Sequence, residues 1–259
     1  MHYSNNLDYI VNGYHPHKQY SGINYFSKSV DEKYVFDILD IQASHEYRGN
    51  PREIMQYGNS HNWLTYHLAE HTPLPQIFLN PSRLKSKFVD DNAESRNIAK
   101  KVFWLMTHEN LPDDISINIM PFYEFRLRHS GFGLWSDGIL GFSINGAAKQ
   151  IFIRENNLDE MIIVIGHEIG HVLTATLPNK QDEEAKAFAF SIEWAKTIKK
   201  HNVANLGLSI KDDFNPARNG LHDMAFGFIE SMLKKGRKAI NLHNDLAKGY
   251  LSVFDIMYL

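Results

Sequence analysis

Between Asn157 and Ala175 the chain sets His167, Glu168 and His171 into an apolar run: Met161 to Ile165 precede them, and Ile169, Val172 and Leu173 lie among and after them. Ionisable side chains in so apolar a stretch must find partners, because an unpaired buried charge is strongly destabilising. Any fold this chain adopts has to bury that run and satisfy those groups at the same time. The run's length and its continuation to Leu173 read as one buried helix rather than a strand. Asn157 or Asp159 can cap its start, Asp159 and Glu160 suit the positive end of its dipole, and Leu177-Pro178-Asn179 ends it.

A helix gives the polar residues a geometry. His167-Glu168-Ile169-Gly170-His171 is an H-E-x-x-H pattern. Positions four apart lie about 40° apart around a helix, so both imidazoles can point at one ion. Glu168 lies about 100° round, where a carboxylate can reach a water activated by the ion without becoming a ligand. A catalytic zinc takes three protein ligands and keeps one position open, so one more ligand must come from elsewhere.

The following helix, Gln181 to Lys200, supplies candidates. Stepping about 100° per residue, Lys186, Glu193, Lys196, Thr197 and Lys200 gather on one side and Ala187, Phe188, Ala195 and Ile198 on the other. Glu184 falls near the centre of the apolar face, Glu183 at its flank and Asp182 in the polar face. A carboxylate aimed into a core needs compensation, which a metal on two histidines would provide. Glu184 is therefore the expected third ligand, with Glu183 as the alternative. A His-His-Glu set without thiolate suits one zinc ion, and also manganese, iron or cobalt.

Elsewhere the pattern is mixed α and β. Asn59 to Glu70 reads as a short helix stopped by Thr72-Pro73-Leu74-Pro75, Gln76 to Leu79 as a short strand, and Lys33 to Gln42 as strand or helix. Asp91 to His108 has helical apolar spacing. Ile115, Ile117 and Ile119 alternate with polar residues as in a half-buried strand. Phe142 to Ile144 and Ile151 to Ile153 read as two strands joined at Asn145-Gly146, residues that tolerate positive φ. Leu221 to Lys234 and the stretch from Ala239 read as helices. The expected fold class is α+β, organised as an N-terminal segment over residues 1–90, a catalytic core over 91–200 and a mostly helical C-terminal segment over 201–259 packing on the core.

Composition removes several function classes. The 259 residues include no cysteine, which excludes disulfides, thiolate metal sites and a thiol nucleophile. The net charge of −3 gives no basic footprint for nucleic acid. The first residues lack a signal-peptide pattern, and no apolar run is long enough to span a membrane. A cytoplasmic protein with neither a nucleic-acid nor a membrane partner is the expectation.

A second motif competes with the first. His67-Leu68-Ala69-Glu70-His71 matches the inverted H-x-x-E-H pattern. It ends a short helix that runs straight into prolines, where histidines are favoured by the dipole alone, and no buried companion helix follows. His2, His15 and His17 read as solvated.

With Ile151-Phe152-Ile153, HEIGH and Glu184-Ala185-Lys186-Ala187-Phe188-Ala189 in view, residues 91 to 200 resemble the glutamate-ligand zincins (gluzincins), and more narrowly the ImmA/IrrE metallopeptidase family. Lys186 stands where that family usually has Asn, and no helix-turn-helix segment accompanies the core. The resemblance implies a zincin-like core of small mixed sheet, active-site helix and glutamate helix. It also implies hydrolysis of a peptide or protein substrate, with His167, His171 and Glu184 on zinc and Glu168 as general base. An extended peptide would add to a sheet edge near Gly146 to Ile153. His222 and Tyr250 are candidates by residue type for steadying the oxyanion. Two other readings stay open: a non-catalytic zinc-binding regulator or scaffold, and an enzyme blocked by its own Thr72 to Asn80 segment or C-terminal tail.

Overall fold

A computed structural model describes residues 73–132, 135–215 and 221–254. The expectations for Lys33 to Gln42, Asn59 to Glu70, the His67 to His71 motif, His2, His15, His17, Thr72 and the last five residues lie outside those stretches. The described part is α+β, with seven α-helices and two small sheets among the described residues.

The larger sheet is built from β2 (Ile115–Met120), β3 (Gly141–Asn145) and β4 (Lys149–Arg154). β4 is central, parallel to β2 and antiparallel to β3. Alternation sorts its residues by face. Ile115, Ile117, Ile119, Ile151 and Ile153 are buried on the face that also carries Gly141 and Ser143. The other face carries Phe142 stacked on Phe152, with Phe125 of α3 (Phe122–His129) against Phe142. The hairpin expected at Asn145-Gly146 is present, but Asn145 pairs with Lys149, so three residues turn the chain. Neither Asn145 nor Gly146 takes a left-handed conformation in that turn.

β1 (Phe88–Val89) pairs with β5 (Asn156–Asn157) at the start of α4 (Leu158–Val172), the helix carrying the H-E-x-x-H residues. This helix is buried around nearly its whole circumference, as the apolar run requires. It packs on β3 and β4 with one side and on α5 (Lys180–His201) with the other. Each aliphatic side chain it removes from water contributes on the order of 1.5–3 kcal/mol. α2 (Asn92–Thr107) closes the core from beside both helices, with Asp91 accepting from Ala93 N at its start and His108 in the left-handed region at its end.

Two glycines set the spacing of α4 and α5. A Cβ on Gly166 would lie 2.4 Å from Cδ1 of Trp194, and one on Gly170 would lie 3.0 Å from Cα of Ala187. Their absence lets the helices approach closely beside His167 and His171. Trp194 fills the space at Gly166 and donates from Nε1 to Ile162 O at 2.9 Å.

Two expectations are overturned. Gln76 to Leu79 is not a strand: α1 (Leu74–Phe78) occupies it, with Pro75 in the first turn, where its fixed φ is helical and its missing N–H is not needed. Only Leu79 makes a β-type contact, with Ile210. Nor is the far side of α5 polar and solvent-facing throughout, although Lys196 and Lys200 there are exposed. Lys186 is fully buried and Thr197 nearly so, because α6 (Leu221–Lys234) and α7 (Ala239–Ala247) pack on that helix too.

Candidate metal centre

α4 presents His167, Glu168 and His171, and α5 presents Glu183 and Glu184 across the glycine contact. The two imidazoles meet through their Nε2 atoms, 3.2 Å apart. Glu184 Oε2 lies 3.6 Å from His167 Nε2, and Glu184 Oε1 lies 3.9 Å from His171 Nε2. Ligand atoms of His167, His171 and Glu184 all fall within 4.8 Å of one another, the spacing of a group that could hold a metal ion. Glu184 Oε2 is buried and makes no hydrogen bond.

The hydrogen bonds behind the rings fix which nitrogens are bare. Ser191 Oγ is 2.8 Å from Ala187 O, a carbonyl that can only accept, so the hydroxyl proton goes there. Ser191 therefore accepts from His167 Nδ1, 3.1 Å away, which leaves Nε2 as the lone-pair nitrogen of the neutral ring. His171 Nδ1 lies 2.8 Å from Glu183 Oε1, which likewise accepts, so the His171 proton is on Nδ1. In the neutral form of each ring the free lone pair is therefore on Nε2, and the two Nε2 atoms face each other and Glu184.

Two lone pairs at 3.2 Å with a carboxylate beside them call for a positive charge. Burial lowers the His171 pKa, but the Glu183 hydrogen bond and the charges of Glu184 and Glu168 outweigh it and raise the value to about 9. Without a metal, a proton on His171 Nε2 supplies the charge and bridges to His167. Burial works against the Glu184 carboxylate as well, yet the histidines His167, His171 and His222 hold its pKa well below the usual range. Glu183 is also lowered: burial opposes ionisation, and the His171 hydrogen bond and charge, Leu177 N and Lys186 override it.

The sequence candidates separate accordingly. His167, His171 and Glu184 come together. Glu183 faces the outer nitrogen of His171, so both adjacent glutamates touch the centre in different ways. Glu168 is buried with its stem beside Gly141 of β3, where a Cβ would lie 3.4 Å from Glu168 Cγ. Asp182 leaves the centre and accepts from Val253 N at 2.7 Å and from Ser252 Oγ. His222 on α6 is at the centre, with Nε2 3.3 Å from Glu184 Oε2 and its ring edge-on to Phe188. Tyr250 is exposed in the turn after α7. Sequence reasoning missed Ser191; its signal was a hydroxyl on the same stripe of α5 as Glu184, two turns on. It also missed Asn145, whose Nδ2 donates to Thr174 O at 2.7 Å, Thr176 Oγ1 at 3.1 Å and His171 O at 3.3 Å.

No protein-family model matches the chain, and no curated protein or solved structure matches it either. Among the described residues no helix is long and apolar enough to cross a membrane.

Proposed function

We propose that this chain is a zinc-dependent metallopeptidase with a zincin-like core, in which His167, His171 and Glu184 hold one zinc ion and Glu168 is the general base. The observation that carries the reading is the pair of imidazole Nε2 atoms facing each other at 3.2 Å beside a buried carboxylate oxygen that makes no hydrogen bond. That donor set of two nitrogens and one oxygen fits zinc. The charge fits as well. Glu168, Glu183 and Glu184 bring three carboxylates, Lys186 offsets one, and a divalent cation offsets the other two. The mixed sheet, buried H-E-x-x-H helix and crossing glutamate helix agree with the arrangement the family resemblance implies.

Zinc held there by His167, His171 and Glu184 would lower the pKa of water toward neutrality and polarise a scissile carbonyl. Glu168, next to His167 on α4, would take the proton of the attacking water on its carboxylate and deliver it to the leaving amine nitrogen. An extended peptide cannot add to β4, which is paired on both sides, so the docking edge expected near Gly146 to Ile153 moves to β3. Among the described residues no strand pairs with the outer edge of β3, which lies beside Glu168. Backbone pairing along that edge holds the peptide extended.

The test is cleavage of a mixed peptide library by zinc-loaded protein. Wild type cleaves, a chelator stops it, and Glu168→Gln retains zinc but loses about 10²- to 10⁴-fold in rate. A Glu168→Gln protein as active as wild type would refute the mechanism. Zinc-loaded wild type that cleaves nothing would favour the non-catalytic regulator.

A further inference from the structure

We infer that Lys186 is a positioning residue of the centre: it holds Glu183 on the outer side of His171 and so leaves Glu184 as the carboxylate that meets the metal. The inference rests on the metal-centre reading above. Two adjacent glutamates on one helix could each ligate, and the hydrogen bonds distinguish them. Glu183 has both oxygens engaged. Oε1 accepts from His171 Nδ1 at 2.8 Å, and Oε2 accepts from Leu177 N at 2.7 Å and pairs with Lys186 Nζ at 2.9 Å. Glu184 Oε2 has no hydrogen bond.

Lys186 itself is fully accounted for. An ammonium carries three protons. Here three acceptors meet them: Glu183 Oε2, Ala175 O at 3.0 Å and His171 O at 3.3 Å. A fully buried lysine is tolerated only when satisfied in this way. Its own backbone is held as well, since His243 Nδ1 donates to Lys186 O at 3.1 Å.

A simpler role would be to cap the C-terminal carbonyls of α4. Asn145 already serves that end, donating to His171 O and to Thr174 O. Among the described residues, no side chain other than Lys186 supplies Glu183 with a cation on its outer oxygen. The chain Lys186–Glu183–His171 therefore runs from a buried charge to the Nδ1 proton of a ligand. Outer partners of this kind orient ligands and tune metal affinity.

A double-mutant cycle read on zinc affinity, by competition with a chromogenic chelator, separates the two roles. Lys186→Met keeps the side chain's bulk without its protons, and Glu183→Gln removes the charge between lysine and histidine. Each single variant is expected to bind zinc about tenfold more weakly. The double variant is expected to be no weaker than the worse single, because both break the same chain. Additive losses, or unchanged affinity in Lys186→Met, would overturn the inference and leave Lys186 as a cap. Should Lys186→Met fail to fold, Lys186→Gln replaces it in the same cycle with the same two outcomes. A wild-type protein that binds no zinc is a separate failure: it would remove the centre itself, and this inference with it.

Discussion

The two ends of α4 both bury ionised side chains, and they do so in opposite ways. At the N-terminal end Asp159 is fully buried, with Arg83 Nε at 2.5 Å from Oδ2 and Ser86 Oγ at 2.6 Å from Oδ1. Arg83 also meets Glu160 Oε1 at 2.8 Å, and Ser86 Oγ lies 2.8 Å from Asp159 N. Every group there has a partner. At the C-terminal end the outer atoms are equally well served, by Ser191, Glu183, Lys186 and Asn145, but the inner ones are not: two imidazole nitrogens face each other and Glu184 Oε2 makes no hydrogen bond. A closed ion cluster fastens a helix to its neighbours. A cluster whose inner ligand atoms all converge within 4.8 Å has the spacing of a group that could hold a metal ion.

This contrast predicts different consequences for damage at each end. The largest effect on stability belongs to the closed cluster. Asp159→Ala takes from Arg83 its buried carboxylate partner, leaving only Glu160, and from Ser86 Oγ its acceptor, and is expected to cost about 3–5 kcal/mol in denaturant unfolding, with zinc bound per folded chain unchanged. A loss of zinc in that variant would show that the two ends are not independent.

Acid is next. Burial pushes the His243 pKa down to about 4, with smaller opposing and reinforcing contributions from the Lys186 carbonyl and its charge. The unfolded chain takes up this proton near the ordinary histidine value of about 6.5, whereas the folded one resists until about 4. Stability from this group is therefore present above the unfolded value and is lost as the pH falls through that window. The loss is about 3 kcal/mol by pH 4, read from chemical unfolding at successive pH values. Replacing His243 by Gln should flatten that slope.

Smaller still is Gly166→Ala, whose methyl would collide with the Trp194 ring. It is expected to cost about 1–3 kcal/mol and to loosen the approach of α5 to the histidines. Smallest is Asn145→Ala, which removes donors to the end of α4 at about 1 kcal/mol, measured by thermal unfolding.

Much of the centre was legible because it is local. His167, Glu168 and His171 share one helix, so their spacing alone places them, and Glu184 follows from the apolar stripe of the next helix. What failed needed the third dimension. A helical wheel made Lys186 a solvent residue because it cannot know that α6 and α7 cover that side of α5. Arg83 and Asp159 are far apart in sequence and carry no pattern that joins them. The Gln76 to Leu79 segment is short and apolar, where strand and helix look alike until burial of Ile77 and Phe78 and the position of Pro75 decide it. Asn145-Gly146 marked the hairpin, and the pairing of Asn145 with Lys149 sets its length.

The most direct test is zinc content per folded chain, by elemental analysis, in wild type, Glu184→Ala and Asp159→Ala purified side by side. The account predicts about one zinc in wild type and Asp159→Ala, and very little in Glu184→Ala. No zinc in wild type after incubation with the metal, or equal zinc in wild type and Glu184→Ala, would contradict it.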